Sequence, residues 1–303
     1  MKSHKGGTFY LHSWSRIGLV MALPGLVFVL FFTVIPFLMN VGYAFTTYNF
    51  NSTVIRFNGL NNFIFLFNDR DFWLVFGNTL KLVFLYTVVI NAFAILLAVM
   101  LSKVGKRLGN IVRTTLYYPQ LLSLVVVGFL FRIILDYNYG PVNGLLQLLG
   151  VPKGSLPHWL GAPNLVIPSI SIALVWLCVG YFTTIYYAGV MNIPTEYYEV
   201  SKIEGASGFQ ELFKVTLPFL APAVTICTVM LTVESFNVFA VPISMTAGGP
   251  GRYGTTLALW AYNSYFGMHQ YGKALSISVL LGLMALCVAL IELKVLLRQE
   301  VDK

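Results

Sequence analysis

Residues 193–222 read IPTEYYEVSKIEGASGFQELFKVTLPFLAP, a charged island between two apolar segments that are each long enough to cross a bilayer. Ile193-Pro194 stops the preceding span, because proline has no N–H for a helical ladder and pushes the residue before it out of the helical region. Thr195 is a good N-cap for a new helix, and Glu196 and Glu199 fall in its first turns, where the helix dipole favours negative charge. Tyr197, Val200, Ser201 and Glu204 recur at spacings of three and four and so share a face, with side chains at 200 and 201 small enough to let a partner surface approach. Gly205 permits a sharp change of direction. Ser207-Gly208-Phe209-Gln210 fits a capping box for a second short helix, which ends near Leu217-Pro218. The expected product is a helix-turn-helix lying across a membrane surface, shaped to be held by another protein.

Composition sets the class. Of 303 residues, 57% are hydrophobic and only 10% charged, too little polar surface to cover a soluble globule of this size, so the chain is expected to be an all-α integral membrane protein. The net charge of +8 does not argue for nucleic acid, because the basic residues are scattered between apolar runs. Cys178, Cys227 and Cys287 all lie inside apolar runs without metal or redox spacing and are expected to be small core residues.

Working outward from the loop, six transmembrane helices are expected over about 17–45, 79–101, 116–135, 165–191, 217–244 and 274–297. The first is too long for a signal-peptide core and lacks a small-residue cleavage site, so it reads as retained. Pro24 and Pro36 kink or bracket it. Residues 46–77 read as a polar and aromatic loop that includes a glycosylation-type triplet, Asn51-Ser52-Thr53, expected to be unused. Twelve of the nineteen Lys and Arg fall in the N-terminal segment 1–16, the loop after the second span, the 193–216 loop and the end of the chain around its 298–303 tail. That asymmetry predicts that both termini and the 193–216 loop face the cytoplasm. Tight turns are expected opposite, at 138–143 and 248–251.

Catalytic signatures are missing from the sequence. There is no GxxxxGK[ST] phosphate loop, no HExxH, no Cys/His cluster and no nucleophile elbow, so the chain is not expected to be an enzyme or to bind a cofactor or metal. Polar groups within the spans are then the functional candidates, since charge in hydrocarbon is costly. Arg132 either snorkels to the interface or pairs with Asp136. Glu234, with Ser235 and Asn237 beside it, belongs either to a solute-facing site or to a structural hydrogen-bond network. Trp176 and Tyr181 offer rings able to stack on a sugar or simply to pack between helices.

The loop resembles the cytoplasmic Glu-Ala-Ala loop of bacterial ATP-binding-cassette importer permeases, in which that triplet is followed by glycine and later by Leu-Pro. Here Glu199-Val200-Ser201 stands for the triplet, Gly205 for the glycine and Leu217-Pro218 for the Leu-Pro, with Val and Ser departing from the pattern. Residues elsewhere narrow the resemblance to carbohydrate-uptake permeases of the maltose and glycerol-phosphate type: Gly59-Leu60-Asn61-Asn62-Phe63, Asn78-Thr79, Arg113, Pro119, Tyr139-Gly140, Asn143, Thr246-Ala247-Gly248-Gly249-Pro250 and Tyr271-Gly272. The resemblance implies the type I importer fold and a coupling helix carrying Glu199, Val200, Ser201, Gly205, Tyr197 and Glu204. It implies as partners a second homologous permease, two cytoplasmic ATPase subunits that bind ATP and Mg, an external solute-binding protein and a sugar-like solute. In maltose-type relatives the fifth span contacts the sugar, and the aligned positions here are Leu231, Ser235 and Val238, of which only Ser235 is polar. An importer for glycerol phosphate or another small polar solute, and a stand-alone secondary carrier, remain as alternatives.

Overall fold

A run of apolar residues longer than twenty has no polar partner for its backbone in a bilayer except itself, and this chain answers with helices. The structure, a computed structural model, describes residue 18 and residues 21–49 and 54–301. The 1–16 segment, the Asn51-Ser52-Thr53 triplet and residues 302 and 303 lie outside the described residues. Among the described residues the only β-type pairing is an isolated bridge between Thr46 and Phe57. Among the described residues, four helices are long and apolar enough to cross a membrane: α1 (Met21–Ala44), α3 (Arg70–Ser102), α7 (Val166–Met191) and α13 (Tyr271–Val301), the last qualifying over Tyr271–Leu296. Two bent pairs raise the number to six if each pair counts as one span.

Those two pairs correct the uninterrupted helices expected over 116–135 and 217–244. In the first, α4 (Lys106–Tyr117) runs into a tight 3-10 turn at Tyr118–Leu121 before α5 (Leu124–Ile134) leaves at 100°. Pro119 has no N–H to continue the ladder, and Leu122 and Ser123 are extended. In the second, α9 (Gly208–Phe219) meets α10 (Ala221–Phe236) at 75°, with Pro222 in the first turn of α10. The stretch after Phe236 forms a separate short helix, α11 (Ala240–Thr246), which packs on α5. Residues 54–77 are also more than a loop. They contain α2 (Asn61–Asn68) and the first turns of α3, which Asp69 caps by accepting from the Asp71 N–H. Phe72 and Val75 extend the helix because they are buried.

The core forms where α3 and α7 lie against each other along their length through Leu82, Ile90, Leu174 and Phe182, with α5, α10 and α11 completing it through Val127, Leu231 and Val241. A second cluster, including Leu66, Phe72, Phe236 and Trp260, joins α2, α3 and α10 to α12 (Leu257–Tyr262) and α13. α1 packs chiefly on α13, and among the described residues its apolar side chains are largely uncovered. Cys178 and Cys227 are buried, as expected, but Cys287 is exposed among the described residues.

At the end away from the 193–216 loop, ion pairs close the bundle. Lys273 Nζ lies 2.7 Å from Asp69, and Arg252 Nε lies 2.6 Å from Asp71. The same two cations flank the fully buried Trp260, at 4.4 Å and 5.3 Å from its ring. Burial by itself pushes the Asp69 carboxyl up, but hydrogen bonds from Lys273 and the Asp71 N–H, with the charges of Lys273 and Arg252, outweigh it and hold it below the usual carboxylate value. Asn78 donates to the Arg252 and Thr255 carbonyls, and Thr79 accepts from the Leu257 N–H, so the polar start of the expected second span anchors α12.

Candidate coupling loop and polar path

The chain leaves α7 at Met191, and Pro194 starts α8 (Thr195–Ile203). Pro194 occupies the cap position itself, so Thr195 is the first helical residue and makes no side-chain cap, which corrects the N-cap expected there. Glu196 stands in the first turn and Lys202 in the last, both matched to the helix dipole. Gly205 then takes φ +76°, and the Ala206 and Gly205 N–H groups close back on the Ser201 and Lys202 carbonyls at 2.9 and 3.0 Å. This is the glycine-dependent helix stop that a left-handed residue makes possible. Ser207 and Gln210 form the reciprocal capping box expected for α9.

α9 is tied to the bundle by Glu211, which is buried and paired with Lys103 at the end of α3 across 3.0 Å. Tyr198 Oη lies 3.3 Å from Thr216 Oγ1, and the Tyr197 ring sits 4.5 Å from that of Phe219. Tyr197, Val200, Ser201 and Glu204 do share a face: they line one 530 Å³ groove with Gln210 and Lys214. Glu199 does not join them. It lines a separate 570 Å³ groove with Lys103, Tyr198, Lys202 and Glu211, since two residues along a helix turn a side chain by about 200°. Gly205 lines neither groove and acts through the turn. Val200, Ile203 and Phe209 are 54%, 86% and 72% exposed, so the loop offers apolar surface that this chain leaves open.

The five residues expected along a solute path are not brought together. Glu234 Oε2 lies 3.2 Å from Tyr86 Oη, which is also 3.2 Å from Cys178 Sγ. Ser235 is buried and bonds the Thr232 carbonyl, whereas Asn237 is exposed and bonds the Val233 carbonyl. Trp176 packs on Phe131 at 5.5 Å, and Tyr181 lies 6.2 Å from Tyr117. Glu234 thus joins a hydrogen-bond network, while Ser235 is turned in and Asn237 out.

Residues 90–303 match the family described as binding-protein-dependent transport system inner membrane components. The chain belongs to that family. As an inner membrane component it is 30% identical to the probable starch degradation products transport system permease protein of Thermoanaerobacterium thermosulfurigenes, over 99% of this chain and 98% of that one. It is 30% identical to the trehalose/maltose transport system permease protein of Thermococcus litoralis, over 93% and 94% of the two chains. Its fold is shared with a chain of the bacterial alginate ABC transporter, solved with an alginate pentasaccharide-bound periplasmic protein, at a TM-score of 0.81, 24% identity and coverage of 97% and 99%. The resemblance carried by the Glu199-to-Pro218 spacing is borne out.

Sequence reasoning missed much of this permease's internal polarity. Tyr186 Oη donates to Asn91, whose Nδ2 donates to Thr228 at 3.2 Å, and Thr232 links Thr87 at 3.4 Å to Glu292 at 2.8 Å. Glu292 was legible as a lone carboxylate inside the last span. Its Oε2 is buried with no hydrogen-bond partner among the described residues. The threonines carry no such signal, because a hydroxyl inside a span ordinarily bonds its own helix. Arg132 and Asp136 line one 390 Å³ pocket with Tyr137, His158 and Trp159, but form no ion pair among those found in the described residues. Asp136 Oδ1 instead accepts from the Asn138 and Tyr139 N–H groups at 2.9 Å, which corrects the pairing considered for Arg132.

Proposed function

We propose that this chain is one permease subunit of an ATP-driven importer for a sugar or related polyol, with six spans and with both termini and the α8–α9 loop in the cytoplasm. The observation that carries the reading is the built loop: a helix stopped at Gly205, a capping box behind it and exposed apolar side chains in front, in a chain of the binding-protein-dependent family. The starch-product and trehalose/maltose names of full-length relatives support a carbohydrate cargo. Partner ATPase subunits bind ATP and Mg and seat the loop, a second permease completes the pathway, and an external binding protein delivers the solute.

Coupling in this reading runs through two joints. The Lys103–Glu211 pair links the loop to α3, and the Tyr197–Phe219 contact links it to the bend before α10. A displacement of α8 by an ATPase dimer therefore reaches both sides of the helical core without a change inside any one helix. Glu199 and the Tyr197–Glu204 face meet different parts of the ATPase, because they occupy different grooves.

Two measurements test the proposal. In a Cys287→Ser background, Ser207→Cys is expected to react with a membrane-impermeant thiol reagent only from the cytoplasmic side and Ser155→Cys only from outside. Reversed labelling overturns the orientation. In proteoliposomes, sugar uptake is expected only when this permease is assembled with the second permease, the ATPases and the loaded binding protein. Gradient-driven uptake by the isolated chain identifies a secondary carrier instead.

A further inference from the structure

The α10 stripe that the maltose-type resemblance points to is closed inside this chain, with Leu231 and Ser235 0% and 1% exposed. Just beyond it the helix ends at Phe236, and Asn237 belongs to the lining of a 770 Å³ cavity between α1, the end of α10, α12 and α13. Part of its wall is aromatic: Phe239 and Tyr262 stack at 5.3 Å with 23° between planes, and Tyr262 lies 4.9 Å from Phe266. Three uncharged polar side chains interrupt the rings. Asn237 spends its Nδ2 on the Val233 carbonyl, which leaves its amide oxygen as an acceptor. Ser278 donates to Ala274 and keeps its oxygen lone pairs. Asn40, from α1, has a buried Oδ1 with no hydrogen-bond partner among the described residues. Such an oxygen inside a membrane bundle is costly and marks a missing donor.

We propose that this cavity is a subsite for one neutral sugar ring of the transported solute, with Tyr262 as stacking platform and Asn40 and Asn237 as partners for ring hydroxyls. The inference rests on the importer reading above and deepens it. The volume and the pattern of an apolar wall with a few placed polar groups are those of a small-molecule site. A sugar ring matches both parts, because its C–H face lies on an aromatic ring while its hydroxyl edge donates to amide oxygens. Among the described residues no charged side chain lines the cavity, so glycerol phosphate would enter it without a cation from them. An acyl chain would fill the apolar wall and leave Asn40 unpaired.

The test uses the assembled importer. In the Cys287→Ser background, with Cys178 and Cys227 buried, Ser278→Cys reports on the cavity through its labelling rate with a small thiol reagent. Transported sugar, supplied with binding protein and ATP, is expected to slow labelling at least threefold, while glycerol phosphate leaves it unchanged. Asn40→Leu is expected to lower the sugar imported per ATP hydrolysed by fivefold or more. If Asn40→Leu does not assemble, the Ser278→Cys protection decides by itself. Sugar import by the unsubstituted complex without protection at Ser278→Cys overturns the subsite alone. Protection by added lipid but not by sugar assigns the cavity to lipid and overturns it too. Failure of the unsubstituted complex to import any sugar overturns the importer reading and this inference with it.

Discussion

Gly180→Ala is expected to cost the permease its stable fold. The added Cβ would sit 1.8 Å from the Leu116 carbonyl oxygen, 2.2 Å from its carbon and 2.7 Å from the Tyr117 nitrogen. All three are backbone atoms at the end of α4, where the chain turns through 100°, so no rotamer change can make room. α7 lies at the centre of the core, and moving it off α4 would also disturb its contact with α3. Overpacking a core usually costs about 1–3 kcal/mol, and a clash with backbone on both sides belongs at or above the top of that range. The measurement is thermal unfolding of the purified permease in detergent, with Gly144→Ala as control. A Cβ on Gly144 meets nothing within 4 Å, and alanine there is expected to be neutral or slightly stabilising. Equal melting of the two variants would show that α4 and α7 do not approach as closely as the structure places them.

Gly205→Val is expected to reduce ATP hydrolysis stimulated by loaded binding protein at least tenfold in the assembled importer, with near-normal amounts in the membrane. A side chain on Gly205 meets open space, so crowding plays no part. The penalty comes from the backbone: φ +76° costs an L-residue roughly 1–2 kcal/mol, and a β-branched residue is the least tolerant. The turn between α8 and α9 would relax toward negative φ and carry the exposed Val200 and Ile203 out of register with their partner. Gly205→Asn separates the two explanations, since asparagine tolerates the left-handed region. It is expected to keep more than half of the stimulation. Glu199→Lys adds a third cation to a groove that already holds Lys103 and Lys202, and is expected to weaken coupling less than Gly205→Val. Full stimulation in both Gly205→Val and Glu199→Lys would remove coupling from this loop.

The loop was legible in the sequence because its determinants are local. Proline at 194, the Ser207-to-Gln210 spacing and a glycine three residues beyond Lys202 act through neighbours a few positions away, and each appears where expected. Even the separation of Glu199 from the Tyr197 face follows from helical period. Thr195 was misread only by one position, because a proline cap satisfies the entry into α8 without a side-chain acceptor. Of the five solute-path candidates, only Asn237 lines the cavity beside α12 and α13. Glu234, Ser235 and Asn237 were chosen as polar residues in an apolar run, a criterion that says a group must be satisfied but not by which neighbour, and Trp176 and Tyr181 as rings, which pack between helices as readily as on a solute.

By itself, then, the sequence determined the helical membrane class, the position and internal geometry of the loop, and the charge asymmetry from which an orientation is read. Hydrophobic length, proline, glycine and capping chemistry are properties of contiguous residues. Only the tertiary structure decided that two expected spans bend, at the 3-10 turn following α4 and at Leu220. It also decided that Lys103 holds Glu211 from more than a hundred residues away, and that Asn40 and Asn237 line one cavity while Ser235 does not. Those outcomes depend on which helix faces fit together. In a chain this rich in apolar residues nearly every face is apolar, so hydrophobicity does not rank the pairings. Close approach at a glycine such as Gly180, and the need to satisfy scattered polar groups, do.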